Sequence, residues 1–352
     1  MDGIVSTAGS SDGAARTLPG GGQRASGARG SDGSTLGSAG DGAAAGRPRF
    51  DADVPSGGYR WWYLDALSDD GRHGLTIIGF VGSVFSPYYA WARRRGGADT
   101  SNHCAINVAL YGASGHRWSM TERGRGSITR EPDLFRVGPS SMGWRDGALV
   151  IDINEITVPL PSRLRGQVRL VPSALSAHVE MLDGQGQHHW RPVAPRARVE
   201  VEFEAPGVGW SGDGYHDMNW GDVALEGSFI DWTWSRAALK QGAGVIYDTL
   251  RRDGTRKSFA LRFDEQGRAT SHPVPPAHAL PRCFWRMGRE ARSEGGAAVV
   301  STLEDAPFYA RSLIRARMFG ESVTAFHESL SLDRFRSPVV QAMLPFRMPR
   351  RA

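Results

Sequence analysis

A strict alternation of apolar and acidic side chains limits the possible fold of this chain more than any other feature. It is clearest in ARVEVEFEA, residues 197–205, where Val199, Val201 and Phe203 alternate with glutamates. Successive side chains of an extended strand point to opposite faces, so a β-strand collects the apolar residues on one face, whereas a helix scatters them. The segment is therefore predicted to be a strand with one buried face.

The same pattern runs through most of the chain. ALVIDINEITVPL (148–160) also alternates, GLTIIGFVGSVF (74–85) is typical of a buried strand, and RRDGT (251–255) separates VIYDTL from KSFALRF as a hairpin turn does. Helical periodicity is rare, and residues 297–319 fit a helix or strands equally. Many short strands with glycine-rich turns predict an all-β, mainly antiparallel fold of sandwiches or barrels, with few short helices.

Composition divides the chain into four segments. Residues 1–48 are rich in Gly, Ala and Ser and contain no aromatic residue, so they are predicted to be a disordered leader. Two β-rich domains, residues 49–225 and 226–345, fit the length of 352 residues. Residues 346–352 form a basic tail.

Charge and hydropathy restrict the partners. The formal net charge is +5, and arginines flank the apolar VVQAMLPF (339–346), so the C-terminal region is predicted either to touch an anionic lipid surface or to be a solvated basic tail. No apolar run approaches the ~20 residues of a membrane span, and the first residues lack the features of a signal peptide. Nucleic acid ranks last among partners, because no aromatic-interleaved basic stripe is present.

Cofactor signals are weak. The two cysteines, Cys104 and Cys283, are too few for a disulfide framework and fit a reducing compartment, and no Cys/His spacing is typical of a metal site. A GxGxxG match at residues 207–212 is not followed by a helical pattern, as a dinucleotide site requires. We therefore expect neither a metal nor an organic cofactor.

The most unusual short stretch is GYHDMNWGD, residues 214–222, which crowds ionisable and aromatic side chains between glycines. In an extended strand its side chains divide into two faces. One face carries His216, Met218 and Trp220, and the other carries Tyr215, Asp217 and Asn219. The stretch is either a reactive site or a structural turn that Asp217 and Asn219 tie together.

Two later segments place carboxylates among apolar residues. In FIDWTW, Trp232 and Trp234 share a face and Asp231 lies on the other. In VIYDTL, Asp248 shares its face with apolar residues on both sides. If that face is buried, desolvation raises the pKa of the Asp248 carboxyl and keeps it protonated; if it is exposed, Asp248 is a surface carboxylate.

A neutral carboxylic acid beside indole and phenol rings suits the hydration of an alkene. The acid protonates an electron-rich double bond, and each desolvated aromatic face stabilises the resulting carbocation by ~2 kcal/mol or more. Water then adds to the cation. Such a site needs a dry, mostly apolar cavity with few polar groups.

Three blocks of the chain carry a family resemblance. They are GGYRWWYLDALSDDGRHGLTIIGFVGSVFSPYYAWARR (57–94), HCAINVALYG (103–112) and WSMTER (118–123), and GYHDMNWGD agrees with the signature YHD-x-NWG. With these motifs the ordered part of the chain resembles the carotenoid 1,2-hydratases, also called hydroxyneurosporene synthases. The resemblance implies two lipocalin-like β-barrel domains. It also implies cofactor-independent addition of water to the terminal C-1,2 double bond of acyclic carotenes such as neurosporene or lycopene.

The resemblance also implies roles for individual residues. Asp248, by its position after the motif, corresponds to the family's proton donor, and His216, Trp220 and Tyr247 are its helpers. Ile246 is the alternative to Tyr247, and Met218 stands where several relatives have a histidine. Substrate-binding and cation-stabilising groups are then expected among Trp232, Trp234, Tyr215, Asp217, Asn219 and Asp231.

The implied substrate is insoluble in water. The protein is therefore expected at the cytoplasmic side of a membrane, bound peripherally, and in association with other carotenoid-pathway enzymes. Two other functions fit the same architecture: a carrier that binds apolar ligands without chemistry, and a pericyclase-like enzyme that shapes a polyene for cyclisation. Only the hydratase adds the mass of one water to its substrate.

Overall fold

Antiparallel β-strands account for most of the secondary structure in the computed structural model, which describes residues 46–112 and 115–351. The predicted all-β, mainly antiparallel fold with few short helices is confirmed. Residues 1–45 of the predicted leader lie outside the described residues, as does the last residue of the predicted basic tail.

Short turns join most of the strands. Up to Gly221 the strands are β1 (Tyr59–Ser68), β2 (His73–Val81), β3 (Cys104–Gly112), β4 (Arg117–Met120), β5 (Glu122–Arg123), β6 (Ile128–Glu131), β7 (Leu134–Val137), β8 (Ser140–Arg145), β9 (Ala148–Ile156), β10 (Arg163–Pro172), β11 (Glu180–Met181), β12 (His188–Ala205) and β13 (Val208–Gly221). Beyond it they are β14 (Phe229–Ala238), β15 (Ala243–Arg251), β16 (Arg256–Phe263), β17 (Ala269–His272), β18 (Ala277–Leu280), β19 (Arg289–Arg292), β20 (Ala297–Asp305), β21 (Tyr309–Met318), β22 (Glu321–Ser331) and β23 (Arg350–Arg351).

The helices are short and lie between strands. They are α1 (Pro87–Arg94), α2 (Leu225–Ser228), α3 (Leu332–Arg336) and α4 (Pro338–Met343), with 3₁₀ turns at Thr100–Asn102, Arg125–Ser127 and Leu344–Phe346. The sequence starts α1 with a side-chain cap, because the Ser86 hydroxyl accepts a hydrogen bond from the Tyr89 N–H and Pro87 follows it. None of the described helices has the length and apolar character needed to cross a membrane.

Within the residues that the structure describes, the first sheet contains 14 strands. Its main order is β23-β5-β3-β2-β1-β13-β12-β10-β9-β8-β7-β6, and β4 and β11 pair with β3 and β12 at its side. β23 runs parallel to β5, so the C-terminus of the chain returns to the first sheet.

In the described part of the chain, the second sheet contains seven strands in the order β17-β16-β15-β14-β22-β21-β20, and β18 and β19 form a separate hairpin. The segment 297–319, which fitted a helix or strands, forms β20 and β21, where pairing between neighbouring strands satisfies its backbone. The predicted turn at RRDGT joins β15 to β16, and its Gly254 has a φ of +83°, a conformation that favours glycine.

Both faces of the paired strands β1 and β13 are buried. Trp62 and Met218 point into a core that the first sheet encloses, and Trp61 and Tyr215 point the other way, into a core shared with the second sheet. The chain passes from the first sheet to the second between Gly221 and Phe229. The domain boundary at residue 225 stays a prediction.

Candidate active site

A cavity of about 130 Å³ lies between the outer face of the first sheet and the facing side of the second. Rings from the two sheets meet around it: the Trp61 and Trp232 ring centroids are 6.2 Å apart, and those of Tyr63 and Trp234 are 5.4 Å apart. Aromatic side chains form much of the wall: Trp61, Tyr63, Phe80, Phe85, Trp118, Trp232, Trp234, Tyr247, Phe308 and Tyr309. The space is therefore suited to an apolar, unsaturated ligand.

Strand alternation places two polar residues of GYHDMNWGD in this wall. In the antiparallel pairing of β1 with β13, Asp217 lies opposite Tyr63 and Asn219 lies opposite Trp61. All four side chains line the cavity, because they share one face of the sheet. In the second sheet, Trp234 lies opposite Tyr247 in the pairing of β14 with β15.

Asp217 is the carboxyl group that faces the rings. Its Oδ2 atom accepts hydrogen bonds from Trp190 Nε1 and from the Tyr215 hydroxyl, each at 2.8 Å. Its Oδ1 atom is buried and has no hydrogen-bond partner among the described residues. Burial, opposed in part by those two hydrogen bonds, raises the pKa of Asp217 to about 8. Near neutral pH the group is therefore mostly a carboxylic acid, and Oδ1 is the atom left to carry its proton.

Asn219 and Tyr247 form a second polar pair in the wall. Asn219 Nδ2 donates a 3.3 Å hydrogen bond to the Tyr247 hydroxyl. Burial raises the pKa of Tyr247 well above its usual value, so the phenol is neutral and keeps a proton to donate. The pair offers a donor and an amide carbonyl to a small polar molecule.

A buried ion cluster forms another part of the wall. Arg311 is 2% exposed and pairs with Glu304 at 2.5 Å and with Glu328 at 2.8 Å. All three line the cavity. Glu328 favours the protonated form of Asp217, and the guanidinium of Arg347, which also lines the cavity, balances the charge of the cluster.

Two more polar atoms in the wall are buried without a hydrogen-bond partner in the described part of the chain. They are the Tyr309 hydroxyl and Trp234 Nε1. Buried groups of this kind are usually satisfied by water or by a ligand. Within residues 46–112 and 115–351, no group of three or more His, Cys, Asp or Glu is arranged to hold a metal ion.

Comparison with known proteins decides the family. The family profile described as carotenoid hydratase CrtC matches residues 77–352. An acyclic carotenoid 1,2-hydratase of Thiocapsa roseopersicina is 54% identical over 353 residues, covering 99% of this chain and 87% of the relative. One of Rubrivivax gelatinosus is 50% identical over 345 residues, covering 96% of this chain and 85% of the relative.

The chain belongs to the carotenoid hydratase family. The resemblance carried by the three sequence blocks and by YHD-x-NWG is thereby confirmed.

The fold also resembles a solved structure outside this family. A crystal structure of an AttH protein from Nitrosomonas europaea superposes with a TM-score of 0.51 at 15% identity, covering 78% of this chain and 92% of that one. At this identity the likeness concerns the fold alone. It agrees with the lipocalin-like architecture expected for a carotenoid hydratase.

The structure does not bring Asp248 to the cavity of this carotenoid hydratase. Because side chains alternate on β15, Tyr247 faces the cavity and Asp248 faces the opposite side, toward the β18–β19 hairpin. Its carboxylate contacts Arg292 at 2.7 Å and Arg256 at 3.0 Å, and it accepts a 2.8 Å hydrogen bond from Ser258. The prediction that Asp248 lies in a ring-lined cavity is wrong: the residue is buried in an ion-pair cluster.

Two predicted helpers also lie on the far side of β13. His216 faces the core of the first sheet, where its Nδ1 donates a 2.7 Å hydrogen bond to the Tyr63 carbonyl and burial lowers its pKa to about 4. Trp220 is stacked on His189 at a centroid distance of 4.9 Å. Neither lines the cavity, and their predicted assisting role stays a prediction.

The other predicted residues divide between the cavity and the surface. Asp231 lies on the exposed side of β14 and does not line the cavity. Tyr215 reaches the site through its hydrogen bond to Asp217. The structure does bring together the predicted residues Trp232, Trp234, Asp217, Asn219 and Tyr247.

Sequence reasoning missed several wall residues of this family member. Trp61 and Tyr63 alternate within YRWWYLD, a signal that matches the spacing of Asp217 and Asn219 on the paired strand. Arg311 and Glu328 are neighbours only through the pairing of β21 with β22. No local pattern indicates that they form an ion pair.

Proposed function

We propose that this protein adds water to the terminal C-1,2 double bond of acyclic carotenoids, with Asp217 as the proton donor. Its membership of the carotenoid hydratase family supports the reaction. The observation that carries the assignment of the donor is the Asp217 carboxyl group, whose unpartnered Oδ1 is buried in an aromatic cavity.

Protonation is the first step. Asp217 Oδ1–H gives its proton to carbon 2, and the electron pair of the double bond forms the new C–H bond. Carbon 1 becomes a tertiary cation, and Asp217 becomes a carboxylate. The raised pKa of about 8 keeps the group protonated before the step and close to the operating pH, where general acids are most effective.

The cation forms among aromatic rings, with a carboxylate in the same cavity wall. The wall includes Trp232, Trp234 and Tyr63, and each desolvated ring lowers the energy of the cation by ~2 kcal/mol. Glu328, a carboxylate that lines the cavity, adds electrostatic stabilisation of the cation. These groups are already fixed by packing, so little reorganisation accompanies the charge.

Water addition completes the cycle. The Asn219–Tyr247 pair holds a water molecule beside carbon 1, and the water oxygen forms the C–O bond with the cation. The resulting oxonium returns one proton to the Asp217 carboxylate. One alkene and one water thus give one tertiary alcohol, and the acid is regenerated without a second proton donor.

Asp248 has a structural role in this account. Its ion pairs tie β15 to β16 and β19, which hold the wall that contains Tyr247. Replacing it therefore disturbs the cavity through the strands rather than through the proton.

The substrate also defines the place of action. An acyclic carotene is insoluble in water, so we propose that the protein works on the cytoplasmic face of a membrane, next to the enzymes that supply and consume carotenes. The free thiols Cys104 and Cys283 fit that reducing compartment.

Turnover in labelled water tests the reaction. Purified protein is incubated with lycopene in detergent, in ordinary water and in heavy-oxygen water, and the product is measured by mass spectrometry. The proposal predicts the mass gain of one water, with the heavy oxygen in the product. Binding without a mass gain would instead indicate a carrier, and an isomer of unchanged mass would indicate a pericyclase-like enzyme.

A further inference from the structure

The segment 338–348 is apolar on two opposite sides. It comprises α4, the following 3₁₀ turn and two residues beyond it. Its inner side presents Val340, Leu344 and Met348, which are buried, and Leu344 and Met348 line the cavity. This short wall therefore separates the cavity from the outside of the protein.

The outer side of the same segment is an exposed apolar stripe. Val339 is 68% exposed, Met343 is 37% exposed and Phe346 is 78% exposed. Their spacing of four and three residues places them on one face of a helical segment. We call these three residues the outer stripe. A helical segment that is apolar on both sides needs an apolar environment outside as well as inside.

Arginines flank the outer stripe along the chain. Arg336 precedes it and Arg351 follows it, and both are exposed. Arg347 lies at the cavity wall, with its guanidinium 4.4 Å from the centroid of the Trp118 ring.

Helix α1 begins next to α3 and also carries exposed aromatic and basic side chains. The ring of Phe85, just before α1, is 6.1 Å from that of Phe335 in α3, which precedes α4. On α1, Trp91 is 52% exposed, and the Arg95 guanidinium lies 3.9 Å from the centroid of its ring.

Two acidic residues of this region are already paired. Glu226 is bonded to Arg93, and Asp333 is bonded to Arg252. The surface thus combines exposed apolar and aromatic side chains with an excess of arginine, a combination typical of proteins that lie at an anionic lipid interface.

We propose that the outer stripe inserts into the headgroup region of an anionic bilayer and that the cavity receives its ligand from the lipid through the wall formed by Leu344 and Met348. The identity of that ligand as a carotene rests on the proposed function. Electrostatic repulsion disfavours a second copy of this chain as the occupant, because a two-fold contact through the outer stripe brings the flanking arginines of both copies together. An anionic lipid surface attracts the same arginines.

Vesicle flotation tests the docking without any carotene. Wild-type protein is mixed with phosphatidylcholine vesicles and with vesicles that also contain phosphatidylglycerol. The variant Val339→Ser/Met343→Ser/Phe346→Ser removes the outer stripe. The variant Met181→Ser/Val300→Ser is the control, because it removes two exposed apolar residues, 55% and 53% exposed, on strands β11 and β20 outside the segment.

The proposal predicts preferential binding to the anionic vesicles and a loss of about tenfold or more in affinity for the outer-stripe variant. The control variant binds within about twofold of wild type. Equal binding of wild type and the outer-stripe variant, or no binding of wild type, would overturn the proposal. So would a dimer in sedimentation velocity that the outer-stripe variant abolishes, because a second copy would then cover the stripe.

Two hydration assays keep this proposal separate from the proposed function. With lycopene supplied in anionic vesicles, the outer-stripe variant is expected to lose rate in proportion to its binding. With lycopene supplied in detergent, it is expected to keep the wild-type rate. Loss of rate in both assays with unchanged vesicle binding contradicts the docking proposal, whereas vesicle binding without hydration by wild type contradicts the proposed function alone.

Discussion

The Tyr215 hydroxyl donates a 2.8 Å hydrogen bond to Oδ2 of Asp217, two residues further along the same face of β13. A second donor, Trp190 Nε1, binds the same oxygen. Both lone-pair directions of Oδ2 are thereby used, so the proton of the neutral acid resides on Oδ1, the oxygen without a hydrogen-bond partner among the described residues. The hydrogen bonds thus orient the acid as well as moderating its pKa.

Removing the Tyr215 hydroxyl is expected to shift the pH profile of hydration. The hydrogen bond favours the carboxylate, so Tyr215→Phe raises the pKa of Asp217 further. Loss of one hydrogen bond to a charged group corresponds to about one pH unit. In the pH profile of kcat/KM, the alkaline limb therefore shifts to a higher pH by about that amount. An unchanged limb would show that another group limits activity at high pH.

Asp217 also links stability to pH. The folded protein keeps it protonated up to about pH 8, whereas its ordinary pKa, expected in the unfolded chain, is 3.8. Between these values the unfolded chain binds fewer protons, so this group lowers stability by up to about 1.4 kcal/mol per pH unit as the pH rises. Asp217→Asn removes that penalty.

Chemical unfolding from pH 5 to pH 9 measures this difference. The difference between the free energies of unfolding of Asp217→Asn and of wild type is expected to grow in favour of the variant as the pH rises. Above about pH 8 this difference is expected to become constant. A difference that does not vary with pH would mean that Asp217 is ionised in the folded protein.

Asp248→Asn is expected to act on stability. It weakens the contacts to Arg292 and Arg256 and leaves two guanidinium groups without their shared carboxylate. Because Arg256 is 45% exposed, solvent moderates the loss, and we expect about 2 kcal/mol of unfolding free energy. The variant molecules that remain folded are expected to show the same midpoint in the pH profile of hydration as wild type. Full stability combined with complete loss of hydration in detergent would instead identify Asp248 as the donor.

The aromatic wall is expected to act on the chemical step. Trp234→Leu removes one ring from the cavity and is predicted to lower kcat by about 30-fold, equivalent to ~2 kcal/mol, whereas Trp234→Phe retains part of the rate. Trp220→Leu is the matched control, because its ring lies on the opposite side of the sheet. Equal losses from both leucine variants would refute a role for cation stabilisation.

The alternation of apolar and polar residues along the sequence predicted the strands well. It also predicted which side chains share a face of a strand. It did not predict which face is reactive, because β13 and β15 are buried on both sides. His216 and Asp217 are each fully or almost fully buried, in different cores. Local sequence contains no signal that separates two buried faces.

Long-range pairing determines the rest of the site. The partners of Asp248 are Arg256 and Arg292, and the second of these comes from β19, on the separate hairpin. The pairing of Arg311 with Glu328 likewise depends on the register of β21 and β22. The chemistry of a buried acid among rings was predictable, but the identity of that acid depended on the packing of the two sheets.

The rate of Asp217→Asn with lycopene in detergent is the sharpest test of Asp217 as the proton donor. Asparagine keeps the shape and the hydrogen bonds from Tyr215 and Trp190 but has no acidic proton. The account predicts a folded protein that binds lycopene and hydrates it about a thousandfold more slowly than wild type. A folded variant that hydrates lycopene at a rate within about tenfold of wild type would contradict it, because that loss lies below the range expected for a general acid.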